Sequence, residues 1–167
     1  DTLPEGVSPP ERCSNYRPIT WARHYGAYSA HRRAFKEFEG DFMLICEADC
    51  WLTVGTDKFI RVIEKAFDFM IEQDVLWLSP CREADTKYCK GSFKSYTFMK
   101  AIWGCHCGLF SAKANTIIQE AFEKTAWQPI DLWYSLLLKN HRMATTKRSY
   151  AVQGGTSYIN AQYVSLL

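Results

Sequence analysis

The stretch G-D-F-M-L-I-C-E-A-D-C-W-L-T, running from Gly40 to Thr53, decides how this chain is read. Phe42 to Cys46 is a short apolar run that stops at two carboxylates, Glu47 and Asp49. Such a run, bounded by polar residues, suits a strand buried on both faces. Ionised groups are costly inside a buried strand, so the acids are expected just past its carboxyl end. In open α/β sheets that is the edge where ligands bind. Two carboxylates two residues apart can share one hard cation where the strand gives way to a turn. Mg²⁺ or Mn²⁺ would take their oxygens together with those of a phosphate. An isolated E-x-D also marks ordinary solvated strand ends, so its meaning depends on what surrounds it.

Upstream, Ala27, His31, Ala34, Phe35 and Phe38 recur at spacings of three and four, which predicts a helix from Ile19 to about Glu39. Gly40-Asp41 ends it. Residues 1–18 hold four of the six prolines and no periodicity, and read as a loop or arm. Downstream, Trp51 to Gly55 reads as a connector. Thr56 or Asp57 can cap a helix to about Gln73, with Phe59, Ile60, Ile63, Phe67, Met70 and Ile71 inward. Val75 to Ser79 reads as a second buried strand. Cys81 to Ser95, polar and basic, reads as a mobile loop over a site.

Y-T-F-M (Tyr96 to Met99) and W-G-C-H-C-G-L-F (Trp103 to Phe110) read as strands, with Gly104 and Gly108 placed for close approach to a ligand. Ser111 can cap a helix from Ala112 to about Lys124, and Pro129-Ile130-Asp131 opens another through Leu138. Met143 to Thr146 and Tyr150 to Val152 complete the strands. Alternation of this kind predicts one α/β domain over 1–167, its mixed, mostly parallel sheet flanked by helices on both faces.

The composition, 47% hydrophobic and 23% charged, excludes a disordered chain. A net charge of +2 gives no basis for nucleic-acid binding, and none is expected. No apolar stretch approaches the length of about 20 residues that a membrane helix needs. Seven cysteines without a C-x-x-C motif argue against a disulfide framework and for reduced thiols in an intracellular compartment. Cys46, Cys50, Cys105 and Cys107, in or beside apolar strands, read as small buried hydrophobes. Zinc on C-H-C is disfavoured, since His106 would face away from both cysteines of one strand.

Several separated segments, in order, resemble glycosyltransferase family 25, the lipooligosaccharide and collagen galactosyltransferase group. G-A-Y-S-A-H (Gly26 to His31) resembles its G-C-A-L-S-H, and L-I-C-E-A-D (Leu44 to Asp49) its L-I-L-E-D-D. W-G-C-H-C-G-L-F-S-A-K-A resembles its G-T-x-A-Y-L-I-S-x-x-A-A, P-I-D (Pro129 to Asp131) its V-P-x-D, and Gln153 with Ser157 its Q-x-x-x-S. The resemblance implies a GT-A fold. It implies a metal-dependent, inverting transfer of a hexose, galactose or glucose type, from a nucleotide sugar, a UDP-sugar foremost, to a glycan or protein hydroxyl. Localisation would be cytoplasmic or peripheral to a membrane, and lipopolysaccharide biosynthesis is a fitting context. Here Ala48 replaces the middle acid, and no I-Y-V-I-N-L-D-R-R-type first strand is evident, so the chain is expected to be an N-terminally incomplete domain, a diverged member, or one with an incomplete nucleotide pocket. A catalytically silent carbohydrate-binding or interaction module on the same fold is the alternative.

By this resemblance Glu47 and Asp49 hold Mn²⁺ or Mg²⁺, and Ser29, His31, His106 and Gln153 contact substrate. Asp131 is the base that takes the acceptor proton, chosen over Glu120, Glu123 and Asp85. His31 also suits a satisfied core histidine, and Asp131 a helix-dipole partner. Trp103 and Trp133 suit either sugar stacking or core packing. Arg82, Lys87, Lys90 and Lys94 suit a solvated basic loop or a diphosphate-attracting one.

Overall fold

The computed structural model describes residues 3–10, 18–82, 86–102, 104 and 106–154. Asp85, Trp103, Cys105 and Ser157, all named from sequence, lie outside them.

Pro18 opens helix α1 (Pro18–Glu37), a position where its missing N–H is no loss. Trp21, His24, Tyr28, His31 and Phe35 recur at helical spacing and form its buried stripe. The chain then enters β1 (Phe42–Cys46), turns, and forms β2 (Cys50–Leu52) within the segment read as a connector. Helix α2 (Thr56–Glu72) follows. Its N-cap is Gly55 without a side-chain cap bond, so neither Thr56 nor Asp57 caps it. The buried stripe is Phe59, Ile63, Ala66, Phe69 and Met70. Ile60 and Ile71 face outward, because the sheet takes a face rotated from the one their hydrophobicity suggested.

Next come β3 (Val75–Ser79), β4 (Cys89–Phe93), β5 (Tyr96–Met99) and β6 (Cys107–Ser111). The segment read as a mobile loop over the site therefore contains strand β4, hydrogen-bonded into a hairpin with β5. Helix α3 (Ala112–Lys124) is capped by Ser111, whose hydroxyl accepts from the Ala114 N–H at 3.3 Å. Helix α4 (Ile130–Leu137), β7 (Arg142–Thr146) and β8 (Ala151–Gln153) complete the order.

Six strands form one sheet in the order β1-β6-β3-β7-β5-β4, and β2 pairs with β8 in a second, small sheet. The chain is thus mixed α/β, but the expected mostly parallel sheet is not what forms. Only β3 and β7 are parallel neighbours; every other adjacent pair in the large sheet is antiparallel. The cause is β6, which inserts between β1 and β3. Those two strands run the same way, as a strand-helix-strand unit should, yet never touch. Hydrophobic periodicity records the unit and is blind to the insertion.

Helices do cover both faces. Tyr28 and Phe35 of α1, Ile118 and Phe122 of α3, and Trp133 and Tyr134 of α4 pack on Trp77, Phe110 and Met143. On the other face Phe59, Ile63 and Phe69 of α2 pack on Leu78, Leu109 and Ala144. Phe35 is 0% exposed and meets Phe110 edge-on at 5.0 Å. Trp133 is a core residue between Tyr28 and Phe122 and no sugar platform.

Strand β1 is not buried on both faces. It pairs only with β6 among the described strands, and Leu44 and Cys46 are exposed. Gly108 likewise serves packing: a Cβ there would lie 2.7 Å from Trp77 Nε1, so Trp77 fills the space foreseen for a ligand.

Candidate functional site

Glu47 and Asp49 stand just past the carboxyl end of β1, in the turn that leads to β2. The turn is closed by the Cys50 N–H donating to the Glu47 carbonyl at 2.9 Å. Glu47 N–H in turn donates to the His106 carbonyl at 2.9 Å, which ties the turn to the residue before β6.

The Glu47 carboxylate reaches toward α1, where its Oε1 lies 3.3 Å from His31 Nε2. His31 Nδ1 lies 2.8 Å from the Tyr134 hydroxyl of α4. A carboxylate that is ionised only accepts, so His31 Nε2 is the donor in that contact. His31 sits in the apolar stripe of α1 at 4% exposure with both ring nitrogens bonded. It is at once a satisfied core histidine and the residue that fixes Glu47. Beside this pair lies a cleft of about 300 Å³, walled by Ala27, Ala30 and Ala34 of α1 and by Ile45 to Ala48.

Asp49 is held from the other side. Gln153 of β8 donates from Nε2 to Asp49 Oδ2 at 2.8 Å, and Gly154 N–H donates to the Asp49 carbonyl at 2.7 Å. The second carboxylate oxygen, Oδ1, is buried with no hydrogen-bond partner among the described residues. Such an orphan is costly.

The indole of Trp51, 54% exposed, covers Gly154 so closely that a Cβ there would lie 2.3 Å from its Cδ2. Sequence reasoning passed over Trp51. Its position beside an E-x-D motif was the available signal.

His106 lies within range of both acids. Burial opposes its charge, but the hydrogen bond to Cys81 and the charges of Cys81, Glu47 and Asp49 outweigh this and raise its pKa. Its ring also rests against Gly104. Four thiols crowd nearby. Cys46, Cys50 and Cys107 hold their sulfur atoms within 4.8 Å of one another, and Cys81 hydrogen-bonds Cys107. Hydrogen bonds to Cys46, Cys50 and Cys81 hold Cys107 protonated; the bond from Cys107 pulls Cys46 well below the ordinary thiol range. Cys46, exposed, is no buried hydrophobe.

Of the residues picked from sequence, Glu47, His31, Asp49, Gln153 and His106 therefore gather around one turn. Ser29 and Asp131 do not join them by any bond among the described residues. Ser29 is half-buried on α1. Asp131 accepts the Leu132 N–H at 2.8 Å through Oδ1, as a helix-terminal acid does, and its charge is felt by His24. His24 lies seven residues before His31, about 10 Å along the helix.

No protein-family model matches the chain, and no curated protein matches it. Among the described residues no helix is long and apolar enough to cross a membrane.

Proposed function

We propose that the chain is a glycosyltransferase that moves a hexose from a nucleotide sugar to a hydroxyl acceptor, with a divalent cation held at Asp49 and Glu47. The observation that carries this reading is the state of Asp49: one oxygen fixed by Gln153, the other buried and without a hydrogen-bond partner among the described residues. By donor type, carboxylate oxygens suit the hard cations Mn²⁺ and Mg²⁺. Such an ion, when bound, neutralises charge on the donor diphosphate as it leaves.

The chain's own residues do the rest. Gln153 and the Gly154 N–H aim Asp49; His31, backed by Tyr134, aims Glu47 along the cleft. His106, whose ring feels the charges of Glu47 and Asp49, stands beside the same turn. Trp51 presents a flat apolar face beside Asp49, the kind of surface on which a sugar ring stacks.

The reaction is a single in-line displacement. The bond from the anomeric carbon to phosphate oxygen breaks as that from acceptor oxygen forms; the hydroxyl proton passes to a carboxylate, for which the family resemblance names Asp131, although it shares no bond with the residues around the Glu47–Asp49 turn among the described residues. Asp131 Oδ1 serves its own helix, which leaves Oδ2 for this role.

The test is donor binding by calorimetry, using UDP-hexoses with and without Mn²⁺, followed by product analysis with a glycan acceptor. Mn²⁺-dependent donor binding and a transferred sugar support the proposal. Glycan binding with no donor binding at any Mn²⁺ concentration overturns it in favour of a silent carbohydrate-binding module.

A further inference from the structure

Three thiols from three segments meet beside the turn of Glu47 and Asp49. Cys46 ends β1, Cys50 opens β2 and Cys107 opens β6. Cys46 and Cys107 are partners across the antiparallel pair, with sulfur atoms 3.5 Å apart. The Glu47 N–H bonds the His106 carbonyl one step along. The cysteines thus occupy a non-hydrogen-bonded position, where opposed side chains come closest. All three sulfur atoms lie within 4.8 Å of one another. Cys81, just after β3, is a fourth thiol near Cys107 but outside the set of three that lie mutually within 4.8 Å. Filling space does not explain this convergence, because Cys46 is exposed.

We propose that Cys46, Cys50, Cys107 and Cys81 form a thiolate site for Zn²⁺. Tetrahedral zinc with Zn–S bonds of about 2.3 Å sets its sulfur ligands about 3.8 Å apart. The 3.5 Å between the Cys46 and Cys107 sulfur atoms and the 4.8 Å limit on all three suit that spacing, and Cys81, outside this set of three, turns in to supply the fourth ligand. A disulfide between Cys46 and Cys107 would leave Cys50 and Cys81 without a role. Thiolate selects a soft or borderline ion, whereas Glu47 and Asp49 select a hard one, so the two sites are chemically separate. Zinc here ties the ends of β1, β2 and β6 to the segment after β3. It braces the turn on which the two acids stand.

The test uses the full chain, purified under reducing conditions, stripped with a chelator, and titrated with Zn²⁺ and separately with Co²⁺. One equivalent of zinc should bind, and Co²⁺ should give sulfur-to-metal charge-transfer bands with intense visible bands of a tetrahedral site. Cys46→Ser, at an exposed position, should keep its circular dichroism and lose about 10-fold or more in zinc affinity, while Cys89→Ser binds as the parent does. Cys107→Ser should lose affinity as well. Because that buried variant can fail to fold, the cobalt spectrum of the parent reads the site independently. A cobalt spectrum without thiolate bands overturns the proposal. So does undiminished zinc affinity in Cys46→Ser, or a Cys46–Cys107 disulfide in a protein that takes up no zinc once reduced.

Discussion

Gln153 Nε2 donates to Asp49 Oδ2 at 2.8 Å, although the two residues stand 104 positions apart in sequence. The contact exists because β2, directly after the acidic turn, pairs with β8, directly before Gly154. That small sheet fixes one oxygen of Asp49, while the other is buried with no hydrogen-bond partner among the described residues. Gln153→Ala frees the carboxylate to rotate. The expected result is a loss of about 10-fold in Mn²⁺ affinity with an unchanged melting temperature, since outer-shell partners of ligands are worth that much. Unchanged affinity would mean that Gln153 does not orient a ligand.

Gly154→Ala tests the same contact through sterics. The added Cβ would lie 2.3 Å from the Trp51 indole, so the ring or the strand must move. Trp51 fluorescence should shift, and Mn²⁺-dependent donor binding should weaken. A variant with parental fluorescence and binding would show that this packing does not position Asp49.

Asp131→Asn keeps shape and removes the proton acceptor. Turnover should fall by about 10² or more with donor affinity unchanged. Normal turnover in Asp131→Asn, with loss in Glu47→Gln, would move the base to Glu47, which faces the cleft and is aimed by His31.

His106 gives a pH signature. Its pKa is raised above the ordinary 6.5, as the Cys81 hydrogen bond and the charges of Cys81, Glu47 and Asp49 outweigh its burial. A raised folded value means that its stabilising contribution is complete below about pH 6.5. The contribution is lost as pH rises through the folded value. In chelator-treated protein, the melting-temperature gap between parent and His106→Gln should narrow over that rise, and the imidazole should titrate above 6.5 by NMR. Titration below 6.5 would contradict this account of its surroundings.

Much of the fold was legible because it depends on local signals. The alternation of Phe42 to Cys46, α2 and Val75 to Ser79 carried the strand-helix-strand unit, and Ser111 announced its cap. Sheet order was not legible. Nothing in the residues of β6 distinguishes a strand inserted between β1 and β3 from one added at an edge. The same insertion brings Cys107 opposite Cys46. The thiol cluster was therefore hidden, because Cys107 lies 61 positions from Cys46 in the sequence. His31 and Gln153 were legible as site residues only through their resemblance to motifs, since each bonds its acid across the fold rather than along the chain.

The central proposal is that Asp49 Oδ1, buried and without a hydrogen-bond partner among the described residues, is a cation ligand. The most direct measurement is electron paramagnetic resonance of Mn²⁺ titrated into the chain with the thiol site filled by zinc. The parent should quench the free-ion signal at one equivalent, and Asp49→Asn, with its fold intact by circular dichroism, should bind about 10-fold or more weakly. Equal quenching by parent and Asp49→Asn would contradict the account.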